Sequence, residues 1–288
     1  MQHFIKFHGP WPAPAKLNLM LRILKQRTDG YHELQTVFQF IDYCDSLYFR
    51  IREDGKIMRD SEPLQVTVEQ DLTVKAAQAL QKVTNCTLGV DIILKKRLPI
   101  GGGLGGGSSN AATTLIALNK LWKLDLSIAE LLQIGVKLGA DVPVFIGGTA
   151  AWAEGIGEKL IPLALPEYWY LVLIPQCQVS TSKIFQYSGL TRNSISITIG
   201  EFLAGNQVND CRDVVSKLYP EVAEALNWLQ VKLGKNQGRL TGTGACVFAA
   251  FNAEDAAKDV LASIPIGWQG FVAKSLNVSP VINLLDKQ

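Results

Sequence analysis

Pro99-Ile-Gly-Gly-Gly-Leu-Gly-Gly-Gly-Ser-Ser-Asn-Ala-Ala112 is the stretch on which the reading of this chain turns. Six of the nine residues from Gly101 to Ser109 are glycine, set between a strand-like segment and a strongly helical one. Glycine has no Cβ, so the turn can adopt positive φ and bring bare backbone N–H groups close to a ligand. A helix starting near Ser108 adds unpaired N–H groups and the positive end of its dipole. Together these predict an anion cradle, whose usual guest is a nucleotide phosphate. Gly/Ser runs also serve as flexible linkers, but this one is held tightly between two ordered elements.

The flanks extend the pattern. Upstream, Val90, Ile92 and Leu94 alternate as a strand that Pro99 stops. Residues 71–83 read as a helix with Leu72, Ala76, Ala79 and Leu80 on one stripe. Downstream, Ala111, Ala112, Leu115, Leu118 and Trp122 trace a helical apolar face. Ser127 with Glu130 forms a capping box for the next helix, which Gly139 ends. Asp141 stands two residues further on, before Val142-Pro143. Near the start, Ala15, Leu17, Leu19 and Leu21 alternate with Lys16, Asn18 and Arg22, so Lys16 and Asn18 leave a strand on the same face. Thr28-Asp29-Gly30 supplies turn chemistry and leaves Tyr31 and His32 at a loop edge, ahead of a long alternating strand from Leu34 to Arg52.

Gly155, Gly157, Pro162 and Pro166 cluster as a boundary. At about 100–200 residues per domain, two domains are expected, spanning 1–158 and 159–288. The second opens with a strand over 168–174 and a short helix begun at Ser180 or Thr181. A helix near 218–233 follows, with Pro220 in its first turn, and then a glycine turn, Thr241-Gly242-Thr243-Gly244, leads into a strand over 245–251. Strands alternate with helices, so both halves read as α+β.

Composition narrows the function. The net charge of +2 provides no field to gather nucleic acid, so nucleic acid is not expected as a partner. The five cysteines are scattered without a CxxC, which points to reduced thiols rather than disulfides or zinc. Of the three histidines, His3 and His8 lie in the leading segment, and His32-Glu33 lacks a second histidine four residues on, which excludes a zincin. The leading segment has no secretory apolar core, and Tyr168 to Pro175 is too short to span a bilayer, so a cytoplasmic protein without membrane partners is expected.

Gly101, Gly103 and Gly106 formally satisfy GxGxxG, and Asp125 lies nineteen residues beyond Gly106. A dinucleotide fingerprint would place that acid at the end of a second strand, whereas here one helix runs toward the capping box of another. Walker A is absent too, because no Gly-Lys-Ser/Thr closes the loop. The run from Pro99 to Ala112 instead resembles the phosphate loop of the GHMP small-molecule kinase superfamily. More narrowly, the chain is similar to the GHMP kinases that act on 4-diphosphocytidyl-2-C-methyl-D-erythritol in the non-mevalonate isoprenoid pathway. Pro-Ala-Lys-Leu-Asn-Leu (14–19), Arg-Thr-Asp-Gly-Tyr-His (27–32), Leu-Gly-Ala-Asp-Val-Pro-Val-Phe (138–145) and Leu-Thr-Gly-Thr-Gly-Ala-Cys-Val-Phe (240–248) carry the likeness along nearly the whole length.

The resemblance implies a two-domain GHMP kinase fold, with an N-terminal unit like ribosomal protein S5 domain 2 and a ferredoxin-like C-terminal unit. It implies ATP and Mg²⁺ as cofactors and a cytidine diphosphate compound as substrate. Phosphoryl transfer asks a protein mainly to position groups and neutralise charge. Pro99, Gly101, Gly102, Gly103, Leu104, Gly105, Gly106, Gly107, Ser108 and Ser109 would hold the ATP phosphates, with a serine hydroxyl near the metal, whose protein ligands the sequence leaves open. Lys96 reads either as a nucleotide contact or as a solvated strand end. By spacing alone Asp141 is a turn or capping residue; the resemblance makes it the general base, with Lys16 as its electrostatic partner. It also assigns Tyr31 and Phe185 as the faces of a cytosine sandwich, with His32 on the base edge, Asn18 in the pocket wall and Thr181 near the substrate phosphates. The competing readings are another GHMP kinase (mevalonate, homoserine or sugar), an RNA-binding module on an S5-like fold, and a nucleotide-dependent dehydrogenase.

Overall fold

The computed structural model describes residues 7–60, 67–235 and 237–285; His3 lies outside them. The first two described strands are β1 (His8–Gln26) and β2 (His32–Arg52), paired antiparallel from His8 opposite Phe49 to Gln26 opposite His32. Their turn is where Asp29-Gly30 predicts it, with Gly30 at φ 87° and Arg27 N donating to Tyr31 O. His8 is therefore part of a strand rather than of a leading segment. Then come β3 (Ile57–Arg59), α1 (Leu72–Thr84), β4 (Gly89–Lys95), α2 (Gly106–Leu121), α3 (Ile128–Leu138) and the short α4 (Val142–Gly147). A hairpin of β5 (Ala151–Gly155) and β6 (Lys159–Pro162) precedes β7 (Trp169–Ile174) and α5 (Thr181–Gln186). The remainder runs α6 (Ile199–Leu203), α7 (Arg212–Leu218), α8 (Pro220–Leu233), β8 (Arg239–Leu240), β9 (Val247–Phe251), α9 (Glu254–Ala262), β10 (Gln269–Leu276) and α10 (Pro280–Leu285).

The strands join in the order β3-β4-β2-β10-β7-β9-β8, with β1 and the β5–β6 hairpin also paired to β2. β2 is the hub because its length lets successive stretches serve different partners: β5 at 34–38, β10 at 40–41 and β4 at 46–52. The expected division at 158/159 falls in the turn of the β5–β6 hairpin, so β6 stays with the first half. The chain also returns across it at the end, where Ile282 of α10 packs against Gly148.

One core lies between the first sheet and α1–α4, and another beneath β7, β9 and α7–α8; a third, holding Leu17, Met20, Tyr170 and Phe248, joins the two halves. α2 runs through the first core, so Ser109 to Leu118 are buried on every side rather than along one apolar face. The Ser127 box forms as read, with Ser127 Oγ accepting from Glu130 N and Glu130 Oε2 accepting from Ser127 N and Oγ. Ser127→Ala is expected to cost about 1 kcal/mol and lower Tm by roughly 2–4 °C. Thermal denaturation checks the loss, and activity should be unchanged because the cap is exposed.

Candidate active site

A cavity of about 990 Å³ runs along the seam between the halves. It is lined by the glycine loop, Lys16 and Asn18 of β1, the β1–β2 turn, Asp141, the start of α5 and the Gly242-Thr243 turn.

The loop departs from expectation in one respect. α2 begins at Gly106, two residues before the expected start, and its N-cap is Gly105 at φ 72°. Positive φ is confined to Gly101, Gly103 and Gly105, at 72°, 75° and 72°, so alternate residues turn the backbone over. Such alternation gathers neighbouring N–H groups on one side. The carbonyls have partners on the other side. Gly101 O and Gly102 O accept from the amides of Ala245 and Cys246, Gly103 O from Thr241 Oγ1 and Lys16 Nζ, Leu104 O from Lys16 N and Gly105 O from Ser109 N. The N–H groups of Gly101 and of Gly103 to Ser108 have no partner among the described residues, and that of Gly102 only closes the turn from Pro99. The loop thus offers donors to the cavity, and the Thr241–Gly244 turn with Ala245 and Cys246 after it is its buttress. Ser108 lines the cavity, whereas Ser109 does not: it is buried within the helix and its amide is spent on Gly105 O.

The cation and the carboxylate meet as the resemblance implies. Lys16 Nζ lies 3.1 Å from Asp141 Oδ2, and it also donates to Asn18 Oδ1 and to Gly103 O. Lys16 is 2% exposed, so its charge is satisfied by these three partners rather than by bulk water. Asp141 occupies the N-cap position of α4 yet makes no capping bond with its side chain, which leaves the carboxylate turned to Lys16. Sequence reasoning missed α4 because six residues containing Pro143 carry no helical period. Asn18 is in the wall, but its amide is committed: Nδ2 donates to Thr36 Oγ1 at 2.9 Å and Oδ1 accepts from Lys16. It positions the lysine. Lys96 lines the mouth and pairs with the fully buried Asp45, which also accepts from the amides of Arg97 and Leu98. No motif marks Asp45, one of three acids spread along β2.

At the far end, Tyr31 stands 58% exposed on the hairpin turn, and Phe185 faces the same cavity from α5. His32 is buried, with its ring centroid 5.0 Å from that of Phe185. Its Nε2 accepts from Arg192 Nε at 3.1 Å. Burial first, and the Arg192 charge second, hold its pKa below the usual histidine value. Arg192 gave no sequence signal, being an isolated arginine in an irregular segment. Thr181 Oγ1 and Thr243 Oγ1 lie 2.9 Å apart on the cavity wall. All five cysteines are free, and burial pushes the thiols of Cys44, Cys211 and Cys246 up to about 12, which removes them as nucleophiles. No helix among the described residues is long and apolar enough to cross a membrane.

Residues 71–149 match the GHMP kinases N terminal domain and residues 196–269 the GHMP kinases C terminal domain. A 4-diphosphocytidyl-2-C-methyl-D-erythritol kinase from Nitrosococcus oceani is 54% identical over 96% of this chain and 98% of its own. The chain belongs to the 4-diphosphocytidyl-2-C-methyl-D-erythritol kinase family. A family member from Alkalilimnicola ehrlichii is 53% identical over 96% of this chain and 94% of its own. A crystal structure of a 4-(cytidine 5'-diphospho)-2C-methyl-D-erythritol kinase superposes with a TM-score of 0.77 at 29% identity, covering 94% of this chain and 99% of that one. A homoserine kinase from Cytophaga hutchinsonii, at 16% identity and TM-score 0.67, shares the fold. The two-domain GHMP kinase fold is thereby established, and with membership of this family the chain is an ATP-dependent kinase. Membership of this family supports the kinase reading over the RNA-binding and dehydrogenase readings, and over assignment to the mevalonate, homoserine or sugar kinases.

Proposed function

We propose that the chain transfers the γ-phosphoryl group of ATP to the 2-hydroxyl of 4-diphosphocytidyl-2-C-methyl-D-erythritol, a step in isoprenoid precursor synthesis. The observation that carries the mechanism is the Lys16–Asp141 pair at 3.1 Å, set beside outward-facing loop amides in one cavity. The amides from Gly101 to Ser108 bind the ATP phosphates, and Lys96, held by Asp45, adds charge at the mouth. Asp141 accepts the hydroxyl proton as that oxygen attacks the γ-phosphorus and the bond to the ADP oxygen breaks. Lys16 counters the negative charge gathering there.

Among the described residues no three His, Cys, Asp or Glu side chains cluster so as to hold a metal ion. Ser108 and Asp141 give oxygen donors on the cavity wall, a sparse hard set that suits Mg²⁺ carried mainly by ATP phosphates and water. When bound, the ion supplies neutralisation of the β,γ-phosphate oxygens. ATP turnover with the cytidyl erythritol substrate against mevalonate and homoserine tests the assignment, and turnover of the latter two at equal kcat/KM would overturn it.

The cytidine end uses Tyr31 and Phe185 as ring faces, His32 at the base edge, and Thr181 near the diphosphate. Tyr31→Ala and Phe185→Ala are each expected to remove a stacking face worth about 1–3 kcal/mol, raising KM for the cytidyl substrate by roughly fivefold to 150-fold. KM for ATP should hold, because the base lies at the other end of the cavity. Tyr31 is the cleaner site, since its exposure means that truncation leaves no core hole. Steady-state kinetics decides, and an unchanged cytidyl KM in both variants removes the sandwich.

A further inference from the structure

Arg192 lies beyond α5, and its guanidinium joins two walls of the cytidine end. Nε donates to His32 Nε2 at 3.1 Å, Nη1 to Leu190 O at 3.2 Å, and Nη2 to Phe185 O at 2.7 Å and Tyr187 O at 2.9 Å. Phe185 and Tyr187 are at the C-terminal end of α5, where carbonyls run out of intrahelical donors. The arginine therefore fixes the helix end that carries the Phe185 ring. It also decides where the histidine proton sits: a ring nitrogen that accepts carries no hydrogen, so the neutral imidazole holds its proton on Nδ1. Nδ1 has no partner among the described residues, and His32 lines the cavity.

We infer that Arg192 is a positioning residue of the cytidine end, holding His32 as the Nδ1–H tautomer and Phe185 beside it. The inference rests on the reading of Tyr31, His32 and Phe185 as the base site. A fixed Nδ1–H donor suits cytosine, whose N3 is an acceptor, and opposes uracil, whose N3 bears hydrogen. Arg192 is the charged group facing the imidazole among the described residues. Across the hairpin His32 is paired with the neutral Gln26, Glu33 and Asp29 turn to Arg27 at 3.6 and 2.9 Å, and α5 presents the Phe185 ring. Burial first, and the Arg192 charge second, keep the imidazole neutral to lower pH than an ordinary histidine, so removing Arg192 lifts the smaller of the two effects and lets protonation begin at higher pH than in the wild type.

The test uses the full-length enzyme and Arg192→Met, which removes donor and charge but keeps the stem. Long-range ¹H–¹⁵N spectra, with His32 assigned by His32→Phe among the three histidines, are expected to show Nδ1 protonated and Nε2 bare. Protonated Nε2 in the folded wild type at neutral pH would overturn the proposal, whether or not the variant folds. In Arg192→Met the Nε2–H form should appear, and KM for the cytidyl substrate should rise about fivefold to tenfold at pH 8, the worth of one good hydrogen bond. At the lower pH at which the same spectra show the variant's imidazole protonated, that variant-to-wild-type ratio should shrink, because an imidazolium carries a proton on Nδ1 again. A merely structural arginine would give the same ratio at both pH values, and that result would also overturn it. His32→Phe separates the two levels. If it leaves the cytidyl KM unchanged, the base-site reading fails; if it raises KM while Arg192→Met does not, the positioning role fails and the base site stands.

Discussion

Asp141→Asn is expected to lower kcat by about 10²–10⁴-fold, the range for removing a general base, while ATP binding stays near wild type. The substitution keeps the shape of the side chain and deletes its ability to take a proton. It does not strand the lysine: Lys16 Nζ still donates to Asn18 Oδ1 and Gly103 O, so the buried cation keeps two of its three partners. Nor should the fold suffer much, since the Asp141 side chain is 35% exposed and caps no helix. On the proposed reading ATP is bound by the loop amides, which the change does not touch. Stopped assays for kcat with calorimetry for ATP check both halves of the expectation. A kcat within a few-fold of wild type would mean that the hydroxyl proton leaves by another route, and Asp141 would revert to a wall residue.

What the sequence showed of this site is what local pattern can encode. Alternation put Lys16 and Asn18 on one face, Asp29-Gly30 marked the hairpin, and Ser127 with Glu130 marked a helix start; each is settled within a few residues. The start of α2 was misplaced because glycines read as loop, whereas Gly106 and Gly107 have entered the helix. The β5–β6 hairpin was cut because its Gly155 and Gly157 turn looks like a linker until both strands are seen pairing. The residues that sequence reasoning missed act at long range. Arg192 meets His32 across 160 positions and Asp45 meets Lys96 across 51, and a lone arginine or aspartate carries no period to announce its partner. The buttress is legible as a turn at 241–244, but not as the group that takes the loop carbonyls, since that depends on two halves closing on each other.

That dependence makes Gly103 the loop position least tolerant of change. Its φ of 75° is one that L side chains avoid, and an added Cβ would stand 2.4 Å from Thr241 O and 2.9 Å from Gly244 O. Both obstacles are backbone, so no rotamer change relieves them. Gly103→Ala must therefore either strain the buttress or push the loop out of register. The left-handed φ alone costs roughly 1–2 kcal/mol, and the backbone contact adds to it. If the loop holds, the cost appears as a lower Tm; if it moves, the amides lose their common focus and ATP affinity falls, by about 100-fold for a loss near 3 kcal/mol. Gly107→Ala, four residues on, is the control. Gly107 lies inside α2 with negative φ, and its added Cβ meets only Leu72 Cδ1, at 3.5 Å. It should melt no lower than wild type, because alanine favours a helix over glycine. Melting curves and ATP calorimetry on the two variants side by side decide the point. If Gly103→Ala kept both Tm and ATP affinity, the clasp between loop and buttress would not be what shapes the cradle.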